Sequence, residues 1–227
     1  MNDGQGVGGE IQGLIFDLDG TLVDTLAEIE LALNKALGTA GQTPCSRADV
    51  RAWVGDGPAR LVERALPRAS PNLRREVLEE FVSYSRDRPL GDAMPYEGVE
   101  ALLRTLHAAR FPLAVLSNKL HQTTTDIVRA LFDERMFVSV LGLVDEETKK
   151  PDGRRALEIV DGFGLRPYQV AMVGDTAVDV ETAVNAGLRS VAVTWGFRDP
   201  GELRSSCPTW MVSDPLEILA IVGMRDE

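Results

Sequence analysis

Two carboxylates, Asp17 and Asp19, follow the first apolar run of the chain, residues 11–16. An aspartate at the end of a strand can attack phosphorus as a carboxylate nucleophile. A second carboxylate, displaced from the first by a turn at Gly20, can protonate the leaving oxygen and later deprotonate the hydrolytic water. The spacing therefore predicts Asp17 as nucleophile and Asp19 as general acid and base. The same residue types are also typical of a simple turn after a strand.

Another pair of carboxylates, Asp175 and Asp179, follows the apolar run at residues 170–173. A phosphoryl group carries too much negative charge to approach Asp17 unaided, and Mg²⁺ binds a few carboxylate oxygens together with water and phosphate oxygens. We therefore predict a Mg²⁺ site formed by Asp17, Asp175 and the backbone carbonyl of Asp19. Asp179 stands where the next helix begins, which favours helix capping and an indirect role behind the metal ligands.

Candidate phosphate-binding residues occur in two segments, one directly after a third apolar run and the other in a later loop. Ser117 and Asn118 come after residues 112–116, where a hydroxyl and backbone N–H groups at a helix start would bind a phosphate. Lys149 and Lys150 lie in a loop before a helix, where an ammonium group could neutralise the transferring group. Because a proline fixes the backbone immediately after Lys150, we assign the phosphate-binding role to Lys150.

Apolar runs alternate with helix-period segments over most of the chain, which predicts an α/β fold with a parallel sheet. Near-continuous apolar strands are typical of a sheet buried on both faces. Ligands of such sheets bind beyond the carboxyl ends of the strands, so the residues above are expected to meet at one edge. The predicted strands are 11–16, 112–116, 138–144, 170–173 and 190–194, and the predicted helices are 97–110, 121–132, 153–163 and 179–186.

The segment at residues 24–95 has a different pattern and is too long for an ordinary connection. Apolar residues at helical spacing predict helices at 25–37, 47–53, 59–66 and 73–84, and no strand. We therefore predict a helical cap at 24–95, inserted into a discontinuous core formed by 11–23 and 96–223. The glycine-rich residues 1–10 are interpreted as a flexible tail.

Composition excludes several classes of protein. The 227 residues include 35 acidic and 24 basic side chains, a net charge of -11, which argues against nucleic-acid binding. No apolar run approaches the roughly 18 residues that span a bilayer, so no membrane partner is expected. The two cysteines are far apart in sequence, which favours a reducing, cytoplasmic location. The oligomeric state is left open.

In this order the motifs resemble those of the haloacid dehalogenase (HAD) superfamily of phosphohydrolases. The resemblance implies a Rossmann-like core, Mg²⁺, an aspartyl-phosphate intermediate and a helical cap inserted after the first motif. Dehalogenase relatives lack an acid at the position of Asp19, so this residue is similar to that of a phosphatase or mutase. The motifs are DLDGTLVD at 17–24, SNK at 117–119, KP at 150–151 and GDTAVD at 174–179.

Two details resemble phosphoglycolate phosphatases within the superfamily: LSNK at 116–119 and VGDGPARLVERAL at 54–66. They imply 2-phosphoglycolate as the small phosphorylated substrate. Sugar-phosphate mutases tend to carry an arginine where this chain has Pro58, which disfavours a β-phosphoglucomutase-like activity. Pyrophosphate, a nucleoside monophosphate or a sugar phosphate stay open as substrates, and a catalytically inactive HAD-fold binding module is the alternative outside enzymes.

Overall fold

The computed structural model describes residues 11–224, so the predicted tail at 1–10 lies outside the described residues. Over residues 11–224 the chain forms eight strands: β1 (Gly13–Phe16), β2 (Val23–Asp24), β3 (Met94–Pro95), β4 (Leu113–Leu120), β5 (Ser139–Leu143), β6 (Val170–Gly174), β7 (Arg189–Val193) and β8 (Trp210–Val212). The same range contains ten α-helices: α1 (Leu26–Thr39), α2 (Arg47–Trp53), α3 (Pro58–Ala65), α4 (Pro71–Asp87), α5 (Val99–Ala108), α6 (His121–Leu131), α7 (Arg154–Phe163), α8 (Ala177–Ala186), α9 (Pro200–Ser205) and α10 (Glu217–Ile221).

Six strands form one parallel sheet in the order β5-β4-β1-β6-β7-β8. Side chains alternate across the central strand β1: Leu14 and Phe16 belong to one hydrophobic cluster and Ile15 to another. Helices α5, α6 and α10 contribute to the first cluster, and α7 and α8 contribute to the second. The sheet is therefore buried on both faces, and the predicted α/β fold with a Rossmann-like parallel sheet is confirmed.

Helices α1 to α4 pack around a separate apolar cluster that includes Leu33, Val50, Leu61 and Phe81. Phe197, from the loop after β7, is buried in the same cluster. This clustering supports the division into a core and a cap at residues 24–95, which stays a proposal. Any movement of the four helices relative to the sheet would therefore have to disturb their packing against Phe197, or carry Phe197 with them.

The two connections between the sheet and these helices form a short antiparallel ladder, in which Val23 pairs with Pro95 and Asp24 with Met94. The prediction of no strand between 24 and 95 is therefore wrong at both ends of that segment. A two-residue strand has too few positions to show the alternation that distinguishes a strand from a loop. The ladder fixes the separation of the two connections where they leave the sheet.

Strand β4 extends to Leu120, so the predicted end at residue 116 is wrong. Its pairing with β5 is interrupted after Leu116 and resumes where Leu120 pairs with Leu143. The polar residues between these positions interrupt the apolar pattern but not the strand. As a result, Ser117 and Lys119 lie two residues apart on extended backbone.

Three short elements near the carboxyl terminus, β8, α9 and α10, were not predicted, because three to six residues carry little periodic signal. Strand β8 nevertheless adds the outermost parallel pair, with β7. No helix between residues 11 and 224 has both the length and the apolar character needed to cross a bilayer.

Candidate active site

Asp17 lies at the carboxyl end of the central strand, where the backbone is held by its own sheet. The Asp17 N–H donates to the Val173 carbonyl at 2.9 Å, which continues the β1–β6 pairing into the site. Its side-chain Oδ1 accepts the Leu18 N–H at 2.7 Å. Its Oδ2 accepts no hydrogen bond from residues 11–224, and Asp17 is one of the residues that line a cavity. One carboxylate oxygen of Asp17 therefore has no hydrogen-bond donor among the described residues.

Three buried carboxylates converge at this strand end: Asp17, Asp175 and Asp179 each place one oxygen within 4.8 Å of the other two. Asp175 follows β6, and its Oδ2 accepts the Phe197 N–H at 2.7 Å. Gly20 and Gly196 pack against the Asp175 carboxylate so closely that a Cβ at either position would collide with it. The two glycines thus allow the chain to enclose Asp175.

Asp179 does not cap α8 as the sequence predicts, because the helix begins at Ala177 and Thr176 is the capping residue. The Asp179 Oδ2 accepts the Thr176 N–H at 3.1 Å and the Thr176 hydroxyl at 2.7 Å, as the third-position acid of a capping box does. Its other oxygen, Oδ1, accepts from Lys150 Nζ at 2.7 Å. Asp179 therefore holds Lys150 and the start of α8 together.

Lys150 is the buried cation of the site. Its Nζ lies 2.9 Å from Asp17 Oδ1 and 2.7 Å from Asp179 Oδ1, and its side chain is 2% exposed. Burial alone would lower the pKa of Lys150, but the Asp17 and Asp179 carboxylates raise it above its ordinary value. Lys150 is therefore a permanently charged ammonium group between two acids.

The three buried carboxylates outnumber the single ammonium group of Lys150. Burial raises the pKa of Asp17 to about 7 against the lowering effect of Lys150, and Asp179 and Asp19 act in the same direction as burial. Burial, Asp179 and Asp17 also raise the pKa of Asp175 well above its ordinary value. Among residues 11–224, Asp175 forms no ion pair. A set of hard carboxylate oxygens with surplus negative charge fits a divalent cation.

The Asp19 carboxylate is not one of the three converging acids and has partners of its own. Its Oδ1 accepts the Thr25 hydroxyl at 2.7 Å, and Lys119 Nζ lies 3.2 Å from both Asp19 oxygens. Asp19 also lines the cavity beside Asp17. The turn after β1 therefore gives the carboxylates of Asp17 and Asp19 different partners.

Ser117 and Asn118, the predicted phosphate-binding residues, are both buried beside the cavity. The Ser117 hydroxyl accepts the Lys119 N–H at 3.2 Å and keeps its own proton free to donate. The Asn118 side-chain amide donates to the carbonyls of Gly55 and Lys150, and its oxygen accepts the Lys150 N–H at 2.8 Å. Asn118 thus holds the backbone of Lys150 in place.

Arg51, for which the sequence pattern gives no functional signal, links the four helices to the loop that binds Asp175. From α2, it donates to the carbonyl of Phe197 at 2.7 Å and to that of Gly196 at 2.9 Å. Arg198 donates in return to the carbonyls of Arg51 and Val54. Because the Phe197 N–H binds Asp175, the loop at 195–198 connects α2 to an acid of the site.

Replacing Arg51 by methionine is expected to weaken the affinity for a divalent cation about tenfold. Groups that orient a metal ligand contribute 10–100-fold to metal affinity, and Arg51 acts on Asp175 only through the 195–198 loop. Isothermal titration with Mg²⁺ measures this. Arg47→Met is the matched control, since Arg47 lies on the same helix and, among the described residues, forms its one ion pair with Glu30 at the surface. Equal affinities in the two variants would show that the loop does not position Asp175.

Comparison with known proteins gives one consistent family. A profile of haloacid dehalogenase-like hydrolases matches residues 14–193. The chain is 32% identical to a phosphoglycolate phosphatase from Psychrobacter arcticus over 211 residues, which are 89% of this chain and 92% of that protein. It is 30% identical to a phosphoglycolate phosphatase from Aquifex aeolicus, covering 92% of this chain and 95% of that one.

A solved structure agrees with these relatives. The crystal structure of a predicted phosphoglycolate phosphatase from Haemophilus somnus superposes with a TM-score of 0.85 at 28% identity, covering 93% of this chain and 97% of that one. The chain belongs to the haloacid dehalogenase-like hydrolase family. The predicted family, the predicted similarity to phosphoglycolate phosphatases and the predicted enzyme class, a phosphatase, are confirmed.

Proposed function

We propose that this enzyme hydrolyses 2-phosphoglycolate to glycolate and phosphate through a phosphorylated Asp17. The observation that carries the proposal is the Asp17 carboxylate at the cavity wall, one oxygen unengaged and the other 2.9 Å from Lys150 Nζ. The choice of 2-phosphoglycolate as substrate is inferred from the relatives named phosphoglycolate phosphatase.

In the first half-reaction Asp17 Oδ2 attacks phosphorus, and the bond between phosphorus and the glycolate oxygen breaks. Asp19 gives its proton to that oxygen as glycolate leaves. The Lys150 ammonium and the Ser117 hydroxyl bind the phosphoryl oxygens, and Asn118 holds the Lys150 backbone by the hydrogen bonds described above. Charge that develops on the phosphoryl group is thereby balanced by preorganised donors.

In the second half-reaction Asp19, now a carboxylate, removes a proton from water. The water oxygen forms the new bond to phosphorus, the bond to Asp17 breaks, and inorganic phosphate leaves. The contacts of Asp19 with Thr25 and Lys119 fix the position of its carboxylate for both steps. One residue can serve as acid and then as base because it is regenerated within each turnover.

Mg²⁺ is the cation that we propose for the site. Asp17 and Asp175 would hold it together with the backbone carbonyl of Asp19, and Asp179 would act indirectly through Lys150. When bound, the cation offsets the negative charge shared by the phosphoryl group and the carboxylates.

The helical segment at residues 24–95 has a role in the same proposal. Residues 24–95 form a cap over the core at 11–23 and 96–223, and its closure excludes bulk water from the phosphoenzyme.

A cytoplasmic location accords with the two cysteines, Cys45 and Cys207, which are both free thiols. The net charge of -11 gives no support to nucleic acid as a partner.

A panel of phosphorylated metabolites tests the substrate. With Mg²⁺ present, phosphate release should give the highest kcat/KM for 2-phosphoglycolate, above pyrophosphate, nucleoside monophosphates and sugar phosphates, and chelation with EDTA should remove the activity. A higher kcat/KM for another ester would reject phosphoglycolate but keep the reaction class. No turnover of any ester would support the inactive binding module, and phosphoryl transfer within a sugar bisphosphate would support a mutase.

A further inference from the structure

The ammonium group of Lys119 contacts Asp19 at the wall of the cavity. Lys119 Nζ contacts both Asp19 oxygens at 3.2 Å, and its side chain is 14% exposed. Among the described residues that line this cavity, Lys119 is the one lysine or arginine. An ammonium group has three N–H donors, so two contacts with Asp19 leave one donor for a ligand.

Thr123 lines the same cavity, and its hydroxyl has no hydrogen-bond partner among the described residues. The Thr123 hydroxyl is buried, with the residue 2% exposed, and it makes no hydrogen bond with residues 11–224. Burying a hydroxyl without a partner is unfavourable, so such groups usually bind a ligand or water. Thr123 lies in the first turn of α6, whose start has no side-chain cap and therefore leaves backbone N–H donors available.

The wall that the four helices contribute is mainly apolar, with Ile29, Leu61 and Phe81, and Ser85 is its one polar side chain among the described residues. A single hydroxyl is too few partners for the several hydroxyls of a sugar. One ammonium group, one hydroxyl and a helix start instead match one small anionic group. A carboxylate has that charge and needs that number of donors.

We propose that Lys119 and Thr123 bind the carboxylate of the leaving group and thereby select phosphorylated 2-hydroxy acids. This inference rests on the proposed function, in which Asp19 protonates the leaving oxygen. In a phosphorylated 2-hydroxy acid that oxygen and the carboxylate are joined to the same carbon. A group that touches Asp19, as Lys119 does, is therefore within reach of the carboxylate.

Lys119 could alternatively serve only to position Asp19, and the two roles have different consequences. A positioning role affects every ester equally, because every leaving oxygen needs the proton of Asp19. Recognition of the carboxylate affects only esters that carry one. The ratio of kcat/KM values for two substrates, measured on one preparation, separates the roles and does not depend on the fraction of folded enzyme.

The experiment compares 2-phosphoglycolate with 2-hydroxyethyl phosphate, in which a neutral hydroxymethyl group replaces the carboxylate. The wild-type enzyme should favour phosphoglycolate, and Lys119→Met should lower that preference about 100-fold, as loss of a charge-assisted contact does. Lys119→Arg should retain most of the preference. Lys35→Met, an exposed lysine on α1, is the control and should leave the ratio unchanged.

Thr123→Val keeps the shape of the side chain and removes its donor, so it tests the inference if Lys119→Met does not fold. We expect a five- to tenfold fall in the preference, against no change for Thr125→Val, a half-buried position on the same helix. A wild-type preference that both Lys119→Met and Thr123→Val leave intact would overturn the inference and keep the proposed function. A wild-type enzyme with no preference for phosphoglycolate would overturn both.

Discussion

Replacing Asp17 by asparagine is expected to lower kcat at least about 10⁴-fold, because the amide cannot act as the carboxylate nucleophile. The substitution preserves side-chain volume, and the oxygen of asparagine can still accept the Leu18 N–H. Phosphate release from 2-phosphoglycolate measures the loss. The thermal unfolding temperature should change by only a few degrees, which separates a chemical effect from a folding effect.

Asp24→Asn is the matched control for that variant. Asp24 is exposed, and its Oδ1 accepts the Leu26 N–H at the start of α1, a contact that asparagine retains. We expect its activity to match the wild type within about twofold. Activity of Asp17→Asn at the level of this control would reject the covalent mechanism.

Replacing Lys150 by methionine is expected to damage both activity and stability. The change leaves Asp17 and Asp179 buried without their common cation, and breaking a buried ion pair costs about 3–5 kcal/mol of unfolding free energy. Loss of the donor to the phosphoryl group should lower kcat/KM about 10³-fold. Urea unfolding and phosphate release measure the two effects.

The neighbouring lysine provides a control for charge and volume. Lys149 Nζ contacts Glu146 and the carbonyl of Asp56, away from the buried acids. Lys149→Met should therefore change stability by less than about 0.5 kcal/mol and kcat/KM only a few-fold. Equal losses in the Lys149 and Lys150 variants would contradict a specific role for the buried ammonium.

The sequence allowed the edge of the sheet where the buried acids meet to be predicted, because the required information is local. Asp17 and Asp175 each follow an uninterrupted apolar strand, and parallel topology brings such strand ends together. The structure places these two carboxylates near each other with Lys150 alongside. Lys150 was preferred over Lys149 because of Pro151; Lys150 is buried between Asp17 and Asp179, and its phosphate-binding role stays a proposal.

What the sequence did not reveal depends on contacts between distant segments. Arg51 lies 145 positions before Gly196, and nothing in the local pattern of α2 indicates which of its arginines reaches that carbonyl. Lys119 was noted only as part of a motif, although its position two residues after Ser117 could have indicated a shared strand face. The predicted end of β4 at residue 116 concealed that relation.

Trapping the phosphoenzyme tests the central claim that Asp17 carries the phosphoryl group. Enzyme turning over 2-phosphoglycolate with Mg²⁺ would be quenched in acid, digested and analysed by mass spectrometry. We predict one added phosphoryl group on the peptide that contains Asp17, and none in Asp17→Asn. A fully active enzyme that shows no phosphorylated peptide, or that carries the group on another residue, would contradict the account.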